Sequence, residues 1–370
     1  MHLAVACPAR GGLSGGFRKY LQSVVPLLRA DPRLRRVDVF IPPAAAAELA
    51  AEGLRDLRTW EEGDHRTGFR RLRSEISALA PDVLFVPSAH YLDCGRPCVV
   101  MIRNMEPLEQ PLSVRAVRAG LVNVGRALAA RRACRRAARV IAVSDHVARF
   151  LTDRWRLKPD RVAVVYHGVD PPALVGEASR PATARGLAPG GFLFTAGSIR
   201  PARGLEDALD ALGLLGERGP ALLVGGRADA DTHSYFRSLQ ARASRLKPSG
   251  RVVWAGQLGR SEMDWCYSNC AAFLMTSRAE ACPNTLLEAM SHGCLVVSTD
   301  KPPMPELIGG AALLYRARDG SDLARQVSTA LTADPGARNP LRAAARARAA
   351  EFTWPSTERQ TVDQLQKALG

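Results

Sequence analysis

No apolar run in the 370 residues approaches the roughly 20 needed to cross a bilayer, which speaks against an integral helical membrane protein. The first eight residues, MHLAVACP, lack the charged start, long apolar stretch and small-residue cleavage site of a secretory leader. They read instead as a first strand, and the expected location is the cytoplasm. Paired Cys-x-x-Cys ligands are missing too. Seven of the eight cysteines stand singly in apolar stretches (Cys7, Cys134, Cys294) or with three residues between them (Cys94 and Cys98, Cys266 and Cys270). Buried thiols in a reducing compartment fit that spacing better than disulfides or zinc ligands. There is no Walker lysine and serine, no Ser/His/Asp set, and no Asp-x-Asp pair at a suitable strand end; Asp229-x-Asp231 reads as a helix start. Acidic residues are the minority, 36 against 51 Lys and Arg, leaving a formal charge of +15. That balance favours phosphorylated substrates or an anionic lipid surface as partners, or else a solvated basic exterior. Nucleic acid is not expected as a partner.

What is present is an alternation of short apolar runs with helical stretches, long enough for two domains. Residues 2–7 read as a strand, followed by a glycine-rich turn that includes Gly15 and Gly16 and then a helix over 17–28. Strand, glycine-rich turn and helix open an open α/β sheet, and the glycines suit close approach of backbone to a ligand. Further strands are expected at 37–41, 82–86, 98–102, 140–143 and 162–166, with helices at 44–52, 66–79, 113–137 and 145–153. The 113–137 stretch carries Arg115, Arg118, Arg126, Arg131, Arg132, Arg135 and Arg136, which makes it either a solvated sheet-covering helix or a docking face for an anionic membrane. Pro and Gly break every period between 168 and 191. The alternation then restarts, with strands at 192–196, 221–224, 252–255, 271–275 and 294–298 and helices at 204–215, 230–246, 260–268, 284–292, 303–308 and 320–332. The expected organisation is α/β: residues 1–170 as one Rossmann-like domain, a 171–190 linker, 191–350 as a second Rossmann-like domain, and 351–370 as a terminal helix packing back toward the first domain.

The densest chemistry lies in 277–290, SRAEACPNTLLEAM. Pro283 and Asn284 suit a first helical turn, whose N–H groups and positive dipole end can hold a phosphate, with Glu280 before them and Glu288 after. The restart of the second domain, TAGSIRPARG, puts Arg200 and Arg203 at a strand-end loop, where guanidinium groups can hold a diphosphate. Arg103 and Asn104 follow the 98–102 strand on the ligand side of its sheet, and His167 closes the first domain as either a turn histidine or a site candidate.

With these motifs the sequence resembles a retaining glycosyltransferase of family 4, which has the GT-B fold of two facing Rossmann-like domains. The match rests on Glu280-x7-Glu288 with Ser277, Pro283, Asn284, Leu286, Leu287, Ala289, Met290 and Gly293, continued by Val296-Val297-Ser298 and Pro305-Glu306-Leu307-Ile308. The glycine-rich first turn, Val143-Ser144, His167-Gly168-Val169-Asp170 and Arg203-Gly204 support it. The resemblance implies that Glu280 contacts the donor sugar, that Glu288 contacts the ribose, and that the backbone of Asn284, Thr285 and Leu286 meets the diphosphate. Arg203 then stands at the family's diphosphate cation. Ser198 stands where the family usually has arginine, leaving Arg200 to supply that charge, and Arg103 stands where a histidine commonly lies, with Asn104 beside it. Leu258 belongs with Gly225, Arg227 and Gln257 near the base. The implied reaction moves a sugar from a UDP- or GDP-linked donor to a sugar, lipid-linked or small-molecule acceptor hydroxyl with retention of configuration. Neither metal nor further cofactor is expected. Loops 10–16, 63–70 and 103–112 are expected to shape the acceptor site. A nucleotide-sugar epimerase, a hydrolase using Glu280 and Glu288 as acid and base, and a non-catalytic nucleotide- or polyanion-binding pair of the same fold are the competing readings.

Overall fold

Segments such as VLFV at Val83–Val86 and CVVMI at Cys98–Ile102 are apolar and buried at every position. A strand of that composition needs cover on both faces, which a parallel sheet under crossover helices supplies. The computed structural model describes residues 1–8, 13–60, 65–109, 117–248 and 250–370, and the chain forms two units of this kind. The first comprises Met1–Gly168 with Thr353–Gly370, and the second Val169–Phe352.

The first unit has strands β1 (His2–Ala6), β2 (Arg36–Ile41), β3 (Leu57–Thr59), β4 (Val83–Val86), β5 (Cys98–Ile102), β6 (Arg139–Ala142) and β7 (Val162–Val164) in the order β3-β2-β1-β4-β5-β6-β7. The second has β8 (Phe192–Ala196), β9 (Ala221–Gly225), β10 (Val252–Gly256), β11 (Ala272–Met275), β12 (Val296–Thr299) and β13 (Leu313–Tyr315) in the order β10-β9-β8-β11-β12-β13. The pairings between these strands are parallel, and each sheet is doubly wound from its first strand outward. Helices Leu205–Leu214 and Gly320–Thr332 cover one face of the second sheet, burying Leu205, Leu209, Leu212, Leu323 and Val327 against Leu193, Leu222 and Val297. Each such aliphatic side chain contributes roughly 1.5–3 kcal/mol of burial.

The edge strands β3 and β13 and the helix Pro335–Ala349 were not expected from the sequence. β3 and β13 are three residues each and carry exposed positions, so no apolar run announces them, while Pro340 inside the helix masks its period. Residues 10–12, 63–64 and 110–112 of the loops expected to shape an acceptor site, and 113–116 of the basic stretch including Arg115, lie outside the described residues.

Helix Trp354–Lys367 packs in the first unit on helix Gly15–Ala30 and on β6, where Arg139 Nε donates to Gln364 Oε1 at 2.8 Å. At this seam Arg33 holds Asp31 (2.6 Å) and Asp363 (2.7 Å), and the hydrogen bonds from Arg33 pull the Asp31 carboxyl down to about 2. Glu358, 8% exposed beside Asp31, is pushed up to about 7, first by burial and then by the Asp31 carboxylate. A carboxyl raised in the folded state contributes stability that is complete below its ordinary value of 4.5 and is lost as pH rises through about 7. Glu358→Gln removes that loss. Relative to the unaltered protein the variant should gain about 2 kcal/mol between pH 5 and pH 8 in denaturant melts. Parallel pH profiles for the two proteins would refute the assignment.

Candidate functional site

In a doubly wound sheet the crossovers leave in opposite directions at the point where strand order reverses, opening a crevice at the carboxyl ends of the two central strands. In the second unit those strands are β8 and β11. β8 ends at Ala196 and runs into Gly197, at φ 133°, whose N–H donates to Gly225 O at 2.9 Å. A 3-10 turn, Pro201–Arg203, leads to Gly204 at φ 65° and then to helix Leu205–Leu214. Gly204 is required twice over, because its left-handed backbone disfavours any side chain and a Cβ would lie 2.3 Å from Thr276 O. β11 ends at Met275, and its exit loop is stitched to the first turn. Thr276 Oγ1 donates to Arg203 O at 2.8 Å, and Arg278 N–H donates to Ala202 O at 2.7 Å.

The Arg203 side chain lies between these loops. It is 9% exposed, donates through Nη1 to Ser277 Oγ at 3.0 Å, and pairs through the same nitrogen with Glu280 Oε1 at 3.0 Å. Its guanidinium rests directly on Gly197, where a Cβ would be 2.2 Å from Nη2. Its buried Nε meets no acceptor among the described residues. Two of the sequence's leading candidates thus form one ion pair at the switch point, an arrangement in which an entering anion must share Arg203 with Glu280. Arg278, next to Glu280 in the loop, is anchored on buried Asp207 (3.0 Å) and on Glu206 (3.2 Å), and Tyr315 donates its hydroxyl to the other Asp207 oxygen at 3.0 Å. That tie fixes the loop that presents Glu280.

Helix Asn284–Ser291 starts at Pro283 without a side-chain cap, as an anion-binding terminus requires. Asn284 and Thr285 are half-buried in its first turn, and Leu286 is fully buried with its N–H donating to Pro283 O at 3.1 Å. Glu288 is half-buried one turn on and accepts from the Tyr267 hydroxyl at 3.0 Å. Ser198 and Arg200 lie half-buried on the β8 exit turn, where the Arg200 carbonyl accepts from Arg203 N–H at 2.9 Å. Leu258, beyond β10, is buried against Gly225 at the end of β9, 3.0 Å from where a Cβ would stand. Asp229 caps the turn Ala230–Thr232 as the start of a helix.

In the first unit the corresponding strand ends are those of β1, β4 and β5. Gly15 and Gly16 begin helix Gly15–Ala30, and Arg103, following β5, donates to Gly16 O at 2.7 Å while its guanidinium stacks 4.3 Å from the Phe17 ring centroid and 5.4 Å from that of Tyr20. Burial pushes the Cys7 thiol up to about 12, with the Arg103 charge acting in the opposite direction. Asn104 Oδ1 accepts from Glu106 N–H at 3.0 Å and so caps the following turn. His167 is 3% exposed, packed between Tyr20 (5.4 Å) and Trp354 (6.2 Å). Sequence reasoning missed Tyr267 and Asp207. Both read as members of helices, and only tertiary structure aims them at Glu288 and Arg278.

Over 99% of this chain and all of that chain, the structure superposes on the crystal structure of Anabaena Alr3699/HepE in complex with UDP with a TM-score of 0.78 and 19% identity, a likeness of fold. The two doubly wound sheets define a protein of the GT-B architecture. A model described as Glycosyltransferase Family 4 matches residues 14–172, and one described as Glycosyl transferases group 1 matches residues 191–333. The chain belongs to the group 1 glycosyl transferases. Among curated relatives it is 25% identical over 185 residues to the serotype-specific mannosyltransferase WbdA of Escherichia coli, covering 49% of this chain but only 22% of WbdA. It is 29% identical over 269 residues to the lipopolysaccharide core biosynthesis mannosyltransferase LpsB of Rhizobium meliloti, covering 66% of this chain and 73% of LpsB.

Proposed function

We propose that this protein is a retaining glycosyltransferase that moves a sugar from a UDP- or GDP-linked donor to an acceptor hydroxyl in the assembly of a glycan, glycolipid or glycosylated metabolite. The observation that carries the reading is the Arg203–Glu280 pair beside an uncapped helix start at the switch point of the second sheet. A donor diphosphate placed there meets a fixed guanidinium and helix N–H groups. Departure of the diphosphate is the demanding step, and cations held in place before the bond breaks stabilise the charge as it develops. Arg203 takes that charge with Arg200 on the same turn, and Glu280, released from part of its hold on Arg203, orients the sugar. Glu288 receives the ribose. The acceptor proton passes to the departing phosphate, so no protein nucleophile is needed. In the first unit, Gly15 and Gly16 are donor-binding candidates, and Arg103, Asn104 and His167 are the candidates for the vicinity of the acceptor and the sugar.

Incubation with UDP- and GDP-sugars and a sugar or lipid-linked acceptor panel should release nucleoside diphosphate and leave the product with the donor's anomeric configuration. Turnover should survive EDTA, since cationic side chains neutralise the diphosphate. Inverted product, or turnover restored only by a divalent cation, would refute those parts of the reading. Glu280→Gln should abolish transfer; undiminished diphosphate release would refute the assignment of that residue. WbdA and LpsB are mannosyltransferases by name, and Anabaena Alr3699/HepE, of similar fold, is solved in complex with UDP-glucose, which makes a nucleotide-linked mannose and UDP-glucose the first donors to try.

Helix Val117–Arg136 exposes Val122 and Leu128 among Arg126, Arg132, Arg135 and Arg136. Apolar residues set in a basic face fit peripheral contact with an anionic membrane surface at its inner face. Among the described residues no helix is long and apolar enough to cross a membrane. Binding to anionic vesicles should fall steeply between low and high salt, whereas equal binding to neutral vesicles would remove the proposal.

A further inference from the structure

The backbone of Glu288 is held from its own helix: its carbonyl accepts from His292 N–H at 3.1 Å and lies 2.9 Å from His292 Nδ1, and His292 Nε2 is in turn 3.3 Å from Asp264. The side chain retains its own torsions, and a glutamate loses appreciable rotamer entropy when those are fixed. One contact that restrains them comes from another helix. Tyr267, on helix Arg260–Asn269, is 2% exposed, its ring enclosed by Phe194 (5.3 Å), Phe273 (5.6 Å) and His292 (5.2 Å), and its hydroxyl donates to Glu288 Oε2 at 3.0 Å. A phenylalanine would fill the same apolar space. The hydroxyl therefore adds a polar contact where packing alone did not need one. Burial, and next the Glu288 carboxylate, push the Tyr267 phenol well above its ordinary range, so it stays a donor at neutral pH.

We propose that Tyr267 is a positioning residue that makes this site select ribonucleoside diphosphates over their 2′-deoxy counterparts, by holding the Glu288 carboxylate in the orientation that receives both ribose hydroxyls. The inference rests on the reading of the second unit as the donor-nucleotide site. A carboxylate held by one oxygen can be aimed so that a vicinal diol meets it in two-point geometry. A 2′-deoxyribose then leaves one of those positions unmatched, and an unmatched polar position in a partly buried site is costly. Without the Tyr267 hydroxyl the carboxylate loses that restraint and discriminates less between one hydroxyl and two. Base and diphosphate contacts are untouched, so the effect is on the preference and not on binding as such.

The test is calorimetric titration with UDP, dUDP, GDP and dGDP of the unaltered protein, Tyr267→Phe, Glu288→Ala and the double variant, with melting curves to confirm folding. The unaltered protein should favour the ribose form by about tenfold. Tyr267→Phe should reduce that ratio to about threefold or less while leaving dUDP or dGDP affinity unchanged, and should change nothing further in the Glu288→Ala background. Glu288→Asp, whose shorter chain withdraws the carboxylate from Tyr267, should show the same loss of preference. A ratio retained in Tyr267→Phe, or both forms weakened by one factor, overturns the inference alone. An unaltered protein that binds no nucleoside diphosphate overturns the donor-site reading and this inference with it.

Discussion

Arg203→Ala is expected to slow sugar transfer about 10²–10³-fold, the usual consequence of deleting one fixed donor to charge that develops in the transition state. Two effects add. The departing diphosphate loses its guanidinium, and Glu280, which held that guanidinium at 3.0 Å, is left as an uncompensated negative charge beside an anionic ligand. Nucleoside diphosphate affinity should therefore fall as well, and Glu280→Gln in the Arg203→Ala background should restore part of the affinity without restoring turnover. Gly197→Ala offers a second route to the same defect with Arg203 still present. Its Cβ would stand 2.2 Å from Nη2 and 2.5 Å from Cζ, at a backbone φ of 133° that side chains rarely adopt, so the guanidinium must leave its place. Initial rates of diphosphate release, measured beside melting curves, separate a displaced arginine from a lost fold. Full turnover in Arg203→Ala would sink the proposed mechanism.

The largest effect on stability is expected in the first unit, at Gly168. A Cβ there would lie 2.3 Å from Trp354 N and 2.6 Å from Thr353 C. Both neighbours are backbone, which cannot swing aside as a long side chain can. Gly168→Ala should destabilise the first unit by about 3 kcal/mol or more, a size reserved for overpacking against rigid structure. For a unit of this size that is a fall in melting temperature of roughly 6–12 °C. The same variant should make the Trp354–Lys367 helix an early target of limited proteolysis. An unchanged melt would mean that the chain relaxes around the new methyl group.

The fold was legible because its signals are local. Buried parallel strands are continuous apolar runs, and glycine or proline marks most exits, so eleven of the strands could be placed from sequence while the three-residue edges β3 and β13 could not. Arg203 and Glu280 were legible for a related reason, since each lies in a short polar stretch between a strand and the next helix, and Glu288, one turn into its helix, was legible by its spacing from Glu280. Their pairing was not. Arg203 and Glu280 stand 77 positions apart (280 − 203), and no pattern along the chain says that one holds the other. Tyr267 carries the same lesson, since a tyrosine on an amphipathic helix reads as core until its hydroxyl is found at Glu288. His167 and Gly168 resemble a family motif by sequence. Here their packing against Tyr20 and the Thr353–Trp354 backbone accounts for both.

The terminal helix has a consequence for biosynthesis. The first unit needs residues 353–370 to cover helix Gly15–Ala30 and β6, yet residues 169–352 form a unit of their own and leave the ribosome earlier. The second unit, with Arg203, Glu280 and Glu288 all internal to it, can therefore finish folding while the first still waits for its last helix. The first unit is begun first and can be completed only last, because the apolar seam that Val362 and Leu365 cover stays open until translation reaches them.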